Sequence, residues 1–350
     1  MIILTNCLRK ADDEGSLKVA KSLITAIRRA VQDTTVVSCA EASPLCQEHL
    51  PANKLMLSPR LARFLWRRKE ITLYIPAFAR MLPTAYRICL LSLYTRRKLK
   101  VLLPMRSPAG RLARLLLRIS GAEIIALSEE SWRMYREIIG ERAKRIKAGV
   151  DVGRFVPVSA EEKKALRYKY GIPGEKPVVL HVGHLKEGRN VGQLLAVDQR
   201  FHAVLVTSTQ TRQEQDEALR QKLLASPQVT LIDTYLPKIE EIYQLADVYL
   251  FPVTAELSCI DVPLSALEAA ACGVPVVATA YGELQQLMDK DGFYRIESFA
   301  PERLNEALNR AVQEGKNPRE SVLEYDWDCG AMQLMEAEDR RIGQGNTAKP

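Results

Sequence analysis

Val178-Val-Leu-His-Val-Gly-His-Leu-Lys-Glu-Gly-Arg-Asn190 carries the reading of the fold. A buried strand runs to Gly183. A turn with two glycines and the side chains of His184, Lys186 and Arg189 follows, and a helix is expected to begin after it. A glycine-bearing turn at a strand end can bring backbone N–H groups and positive charge to a phosphate. A solvated strand–helix loop would look the same, and spacing alone does not separate the two. His181 lies inside the apolar strand and reads as a core histidine, although its spacing from His184 also invites a metal reading.

Outward from this unit the rhythm repeats. Pro177–Val182, Ala203–Thr207, Val229–Ile232, Val248–Phe251, Pro275–Ala278 and Gly292–Ile296 read as strands, with helical patterns at Lys238–Ala246 and Pro263–Cys272. Toward the N-terminus, Ile2–Thr5, Thr35–Ser38, Leu73–Ile75, Lys100–Leu103 and Ile124–Leu127 are strand candidates. Between them lie amphipathic stretches at Leu17–Ala30, Leu61–Arg68, Ala79–Arg97 and Arg111–Ile119. Ser128-Glu-Glu has the form of a helix start, with Ser as N-cap and acids in the first turn. Strands alternating with helices predict an α/β protein whose parallel sheets carry helices on both faces.

A chain of 350 residues has room for two such doubly wound domains. The expected boundary is the charged segment Asp151–Pro173, punctuated by Pro157, Gly171 and Pro173. That places one domain over 1–155 and a second over 156–325. Ligands of open α/β sheets bind beyond the carboxyl ends of the strands, so the cleft between the two is the expected site. The tail from Gly343 to Pro350 is polar and expected to fray.

The net charge of +8 hides a split. Residues 1–150 hold 28 Lys and Arg against 12 Asp and Glu, whereas residues 151–350 hold 22 against 30. A basic half beside an acidic one points to an anionic partner for the first: nucleic acid, a membrane surface or a phosphorylated substrate. The seven cysteines are scattered without a Cys-x-x-Cys pair, which argues for reduced thiols in a cytoplasmic protein and against a disulfide framework or a zinc site. The N-terminus reads as a strand and not as a signal peptide. The apolar run from Ile88 to Tyr94 is far short of the ~20 residues a spanning helix needs.

A second stretch, Asp261-Val-Pro-Leu-Ser-Ala-Leu-Glu-Ala-Ala-Ala-Cys-Gly-Val-Pro-Val-Val-Ala-Thr279, holds a helix opened by Pro263 and closed by Gly273. Leu264, Leu267 and Ala271 share one face, and Glu268 sits on its flank. From the pattern alone Glu268 is either solvated or placed to hydrogen-bond a ligand hydroxyl.

This stretch resembles the nucleotide-sugar signature of family-4 glycosyltransferases, the retaining enzymes of the GT-B fold. Ile146-Lys-Ala-Gly-Val-Asp-Val-Gly-Arg-Phe-Val-Pro157 resembles the family's interdomain segment. Tyr170-Gly-Ile-Pro173, the His-Val-Gly strand end and Tyr243-Gln-Leu-Ala-Asp-Val-Tyr-Leu-Phe-Pro252 match in order. Tyr325-Asp-Trp327 resembles the entry to a last helix, expected over 326–342, that packs back toward the first domain. The resemblance covers residues 120–340 well and is weaker before them, where the family's acceptor domain itself varies.

The resemblance implies roles. Glu268 matches an acid that contacts the nucleotide ribose. Arg189 matches a lysine that holds the donor diphosphate, and Arg can do so in bidentate fashion. His184 stands where the family carries arginine, and Lys186 is a nearby cation that can compensate. Backbone N–H groups around Val262, Leu264 and Ser265 would meet the diphosphate at a helix N-terminus. Tyr235 and Leu236 match the segment that contacts the base. Gly15 matches a glycine loop near sugar and acceptor. No cofactor beyond the nucleoside-diphosphate sugar is implied, and no metal. Asp326-Trp-Asp328 is read as helix-start chemistry.

The sequence departs from the family at two places. Ile260 stands where an acid is usual, which leaves Asp261 or Glu256 to approach the donor sugar. Lys100-Val-Leu-Leu-Pro-Met-Arg106 occupies the region of a first-domain histidine, and Arg106 is a candidate contact for acceptor or phosphate. The expected function is sugar transfer to a glycan or lipid-linked acceptor in polysaccharide or envelope assembly. A nucleotide-sugar-binding or partner protein without catalysis is the alternative.

Arg60, Arg63, Arg67, Arg68 and Lys69 form one basic cluster, and Arg96, Arg97, Lys98 and Lys100 another. Arg111, Arg114 and Arg118 interleave with Leu112, Leu115, Leu116 and Ile119, the pattern of a helix that lies on an anionic membrane. The same pattern also serves as a solubilising face. A nucleic-acid partner is not expected: there is no aromatic–basic recognition motif, and only 6% of residues are aromatic.

Overall fold

The computed structural model describes residues 1–8, 15–77, 80–207, 216–255 and 258–335. Two compact units emerge: Met1–Ala148 together with the residues from Trp327 onward, and Gly149–Asp326.

The first unit is a seven-stranded, wholly parallel sheet. In chain order its strands are β1 (Ile2–Thr5), β2 (Thr35–Ser38), β3 (Glu48–His49), β4 (Thr72–Ile75), β5 (Leu99–Leu103), β6 (Glu123–Ala126) and β7 (Ala143–Arg145). Across the sheet they lie β3-β2-β1-β4-β5-β6-β7. Ile2 pairs with Thr35 on one side and Thr72 on the other. Strands β1, β4, β5 and β6 are buried along their whole length, as a sheet covered on both faces requires. The covering helices are α1 (Gly15–Ala30), α2 (Pro59–Arg67), α3 (Met81–Tyr94), α4 (Arg111–Ser120) and α5 (Glu129–Ile139). Ser58 and Ser128 cap α2 and α5, accepting from the N–H of Leu61 at 3.4 Å and of Ser131 at 3.2 Å. A helix over 327–335 completes the unit: the Lys147 N–H donates to Gln333 Oε1 at 2.9 Å, and Gly330 packs so closely on Ala148 that a Cβ would lie 2.5 Å from its methyl.

The second unit has six parallel strands, β8 (Val178–Val182), β9 (His202–Val206), β10 (Val229–Ile232), β11 (Val248–Phe251), β12 (Val276–Ala278) and β13 (Phe293–Arg295). Their order is β10-β9-β8-β11-β12-β13, so the direction of winding reverses between β8 and β11. The carboxyl ends of those two strands mark the topological switch point, where open α/β sheets hold ligands. Helices α6 (Ala160–Lys169), α7 (Glu217–Ala225), α8 (Glu240–Gln244), α9 (Leu264–Ala271) and α10 (Pro301–Glu314) complete it.

Three expectations from the sequence change. The segment Asp151–Pro173 is not mere punctuation but carries α6, closed at its start by a reciprocal Ser159–Glu162 capping box. No residue of α6 is fully buried, so no apolar stripe announced it. The helix expected after Arg189 is instead two 3-10 segments, Glu187–Arg189 and Val191–Ala196, divided by Asn190 at φ +57°. Lys100 is no surface cation: it is 5% exposed, 3.7 Å from Glu123, with Nζ donating to Leu334 O at 3.4 Å. Its cross-strand partner in the register is Glu123, and burying the pair together is what allows either charge inside.

Candidate functional site

The switch point of the second unit gathers two loops. One leaves β8 at Gly183, whose N–H donates to Val206 O at 3.0 Å. The other runs from β11 to α9. Gly188 draws them together, since a Cβ there would lie 2.3 Å from Ser258 Oγ. Gly183 has a similar role: a Cβ would sit 2.9 Å from His181 Nε2 and 3.1 Å from the Arg189 guanidinium. The absent side chain lets Arg189 lie over the end of β8. Among the described residues its buried Nε has no hydrogen-bond partner.

His181 is wholly buried beneath this loop, and its Nδ1 lies 2.8 Å from Leu250 O. Burial, with the nearby Arg189 charge adding to it, pushes its pKa down to about 4. It is therefore neutral at physiological pH, donates from Nδ1 to the carbonyl and turns a bare Nε2 toward Gly183. That is the core histidine expected from the strand. Among the described residues no three His, Cys, Asp or Glu side chains gather in a metal-binding group.

Tyr249 ties the strand end to α9. Its hydroxyl lies 2.7 Å from Ser265 Oγ and 3.2 Å from Val182 O. At the start of α9 the N-cap is Pro263, which supplies no capping side chain, and the first intrahelical bonds run from Ala266 and Leu267 to Pro263 O. The N–H groups of Leu264 and Ser265 thus have no acceptor within the helix, the arrangement that attracts an anion. The side chains of Val262 and Leu264 are buried, so only their backbone is on offer.

Glu268 is 2% exposed, which rules out the solvated reading. It lies beside the Tyr243 hydroxyl and the Cys272 thiol. Burial foremost, and then this carboxylate, raises the pKa of both. Asp261 is also buried, its backbone clamped: its carbonyl accepts from Glu283 N–H at 2.8 Å, and Gly282, at φ +53°, approaches so closely that a Cβ would lie 2.1 Å from that oxygen. Ile260 is buried next to it. Tyr281 holds the same loop, accepting from Cys259 N–H at 3.2 Å and donating to Cys259 O at 2.8 Å. His184 and Lys186 share a tight turn, with Lys186 N–H donating to His184 O at 3.0 Å. Tyr235 is exposed and Leu236 half-buried in the loop after β10.

Glu256 lies outside the described residues. In the first unit Gly15 opens α1, and Arg106 is ion-paired with Glu130. Arg111, Arg114 and Arg118 are exposed on α4, Arg114 donating to Ala109 O and Arg118 to Ile138 O, each at 3.0 Å. Asp326 and Asp328 do not act together: Asp326 accepts from Val152 N–H at 3.1 Å, and Asp328 pairs with Arg29 at 3.1 Å. Nothing local in the sequence marks Tyr249, Tyr281 or Gly282, because neither a tyrosine that closes a loop by its hydroxyl nor a glycine that admits a distant carbonyl leaves a pattern among its neighbours.

Residues 176–314 match the Glycosyl transferases group 1 family. An alpha-maltose-1-phosphate synthase of Mycolicibacterium smegmatis is 26% identical over 243 residues, 61% of this chain and 62% of that protein. A GDP-mannose-dependent monoacylated alpha-(1-6)-phosphatidylinositol monomannoside mannosyltransferase of Corynebacterium glutamicum is 25% identical over 241 residues, 61% of each. The chain thus spans about three-fifths of the length of these curated relatives. Among solved structures, Anabaena HepE in complex with UDP and glucose superposes with a TM-score of 0.75 at 18% identity, over 97% of this chain and all of that one.

Proposed function

Because this chain carries a glycosyl transferases group 1 domain and has the GT-B fold, we propose that it moves a sugar from a nucleoside-diphosphate sugar to a glycan or lipid-linked acceptor, with retention and without a metal. The observation that carries the proposal is the Arg189 guanidinium drawn over the end of β8 at the switch point, in the same unit as the uncapped start of α9.

In transfer, the bond from the anomeric carbon to the diphosphate oxygen breaks, a bond to the acceptor oxygen forms on the same face, and the acceptor's hydroxyl proton passes to the departing diphosphate oxygen. Negative charge grows on the diphosphate. Arg189, Lys186 and the N–H groups of Val262, Leu264 and Ser265 would receive it, with His184 adding a hydrogen bond. Preorganised donors of this kind cost no rearrangement when the charge develops. Glu268, held rigid by burial, would accept from the ribose hydroxyls, and Tyr235 and Leu236 would border the base. Asp261 or Glu256 would approach the donor sugar, with Gly15 and Arg106 on the acceptor side. We place the protein in the cytoplasm, peripheral at the inner face of a membrane, in polysaccharide or envelope assembly. Among the described residues no helix is long and apolar enough to cross one. The lipid-linked acceptor is supported by the Corynebacterium relative, whose name is that of an enzyme acting on a phosphatidylinositol mannoside.

A thermal-shift series with UDP-, GDP- and ADP-sugars tests the donor, UDP first because HepE was solved with it. One base should raise Tm, and Glu268→Ala should abolish that rise. No shift with any of the three would defeat the donor assignment. A second reading, nucleotide-sugar binding without transfer, is favoured by the buried Ile260. Donor hydrolysis by the purified protein separates the two: a Tm shift without hydrolysis or transfer supports the second.

A further inference from the structure

Between residues 50 and 122 Glu70 is the one acid, against sixteen Lys and Arg. Three of the sixteen turn inward: Lys100 to Glu123, Arg106 to Glu130, and Arg87 to the Tyr74 hydroxyl. The other thirteen are exposed. Glu70 is itself paired with Arg68 at 3.6 Å.

Contacts join the ends of α2, α3 and α4 into one surface. The Arg96 guanidinium stacks on Trp66 at 4.6 Å. Lys98 Nζ donates to Lys69 O at 2.7 Å. The Arg97 side chain packs 3.6 Å from the position a Cβ would take on Gly121. Helix α4 has two apolar stripes. Ala113 and Leu117 face the core, while Leu112, Leu115 and Ile119 are 57%, 52% and 57% exposed. Leu93 on α3 is 62% exposed and Trp66 53%. A solubilising face has no need of this second stripe, and a groove for nucleic acid would not be lined with leucine and isoleucine. Cations interleaved with exposed aliphatic side chains and a tryptophan match the boundary between lipid headgroups and acyl chains.

We infer that the outer face of α4, with the adjoining ends of α2 and α3, is a docking surface for an anionic bilayer. Leu112, Leu115, Ile119, Leu93 and Trp66 enter the acyl boundary, while Arg96, Arg97, Arg111, Arg114 and Arg118 rest on the headgroups, their stems lying along the apolar side chains. The inference rests on the lipid-linked acceptor for its purpose, but the surface owes nothing to the donor site.

Flotation of the full chain with vesicles of phosphatidylcholine, alone or mixed with phosphatidylglycerol, tests it. The wild type should bind the mixed vesicles and not the neutral ones. Arg111→Gln/Arg114→Gln/Arg118→Gln should weaken binding about a hundredfold. Leu112→Ser/Leu115→Ser/Ile119→Ser should weaken it at least about tenfold even at low salt. Leu115→Glu, a single exposed change, serves if either triple variant fails to fold. Four results overturn the inference: no wild-type binding to mixed vesicles at low salt, full binding by the serine variant, tighter binding to a random oligonucleotide, or a wild-type dimer that the serine variant converts to monomer. Donor thermal shift in the same proteins separates the two readings. Vesicle binding lost with the donor shift intact removes this surface alone, and the converse removes the transfer reading alone.

Discussion

Arg189 owes its place to a missing methyl group. With Gly183 bare, the guanidinium and the His181 ring both approach the same backbone carbon. Gly183→Ala should push the guanidinium off the strand end, costing about 1–3 kcal/mol of packing. Titration with the donor found by thermal shift should show affinity falling about tenfold. His181 beneath it makes stability depend on pH. Its ring has a pKa of about 4 when folded against the ordinary 6.5. Above 6.5 the ring is neutral in both states and contributes nothing pH-dependent. As pH falls from 6.5 toward 4 the unfolded chain takes up a proton that the folded one refuses, so stability is lost, by about 3 kcal/mol near pH 4. Urea unfolding at pH 7 and pH 4.5 should show a smaller loss for His181→Phe than for the wild type. His202, whose pKa is also lowered, chiefly by burial, remains in both and cancels. Glu268 shows how far residue-scale reading reaches. Its helix was legible from Pro263 and Gly273, but whether its carboxylate faced water was settled only by Tyr243 and Cys272, which belong to other parts of the unit or the far end of the helix.

Element by element, most of the strands and helices are legible in the sequence, because a strand covered on both faces is mostly apolar and helices such as α2 and α5 open on a Ser cap. Two strands without a sequence signal, Glu48–His49 and Ala143–Arg145, are the edges of the first sheet. Edge strands are half-solvated and short, so they leave little apolar signal. Helix α6 is hidden in the sequence for a related reason: it buries no residue fully, and its cue is the Ser159–Glu162 box. Helix α4 poses the opposite difficulty, an excess of apolar residues. Leu117→Ala on the inner stripe should cost about 2–5 kcal/mol, and Leu115→Ala on the outer one within about 0.5 kcal/mol. Chemical denaturation of the two variants checks this, and equal losses would mean that both stripes are buried.

Across the molecule, positions far apart in the chain meet at Lys100. It joins Glu123 of the neighbouring strand and Leu334 of the last helix, deep in the first unit. Lys100→Ala should cost about 3–5 kcal/mol, since it removes the cation that faces the buried Glu123 carboxylate. Restoring the loss with Glu123→Gln in the same chain, followed by thermal unfolding, distinguishes lost charge pairing from lost packing. The split between a basic and an acidic half also acquires a layout: the first unit gathers its exposed cations at the ends of three helices, and the second holds the switch point with Arg189. Strand–helix alternation, helix starts and the charge imbalance were all present in the amino-acid order, because each is a property of neighbouring residues. Which stripe of α4 faces water, that Lys100 is internal, and that Gly183 admits Arg189 were decided by packing alone. Each depends on side chains brought together across tens or hundreds of residues, and no local spacing encodes such a meeting.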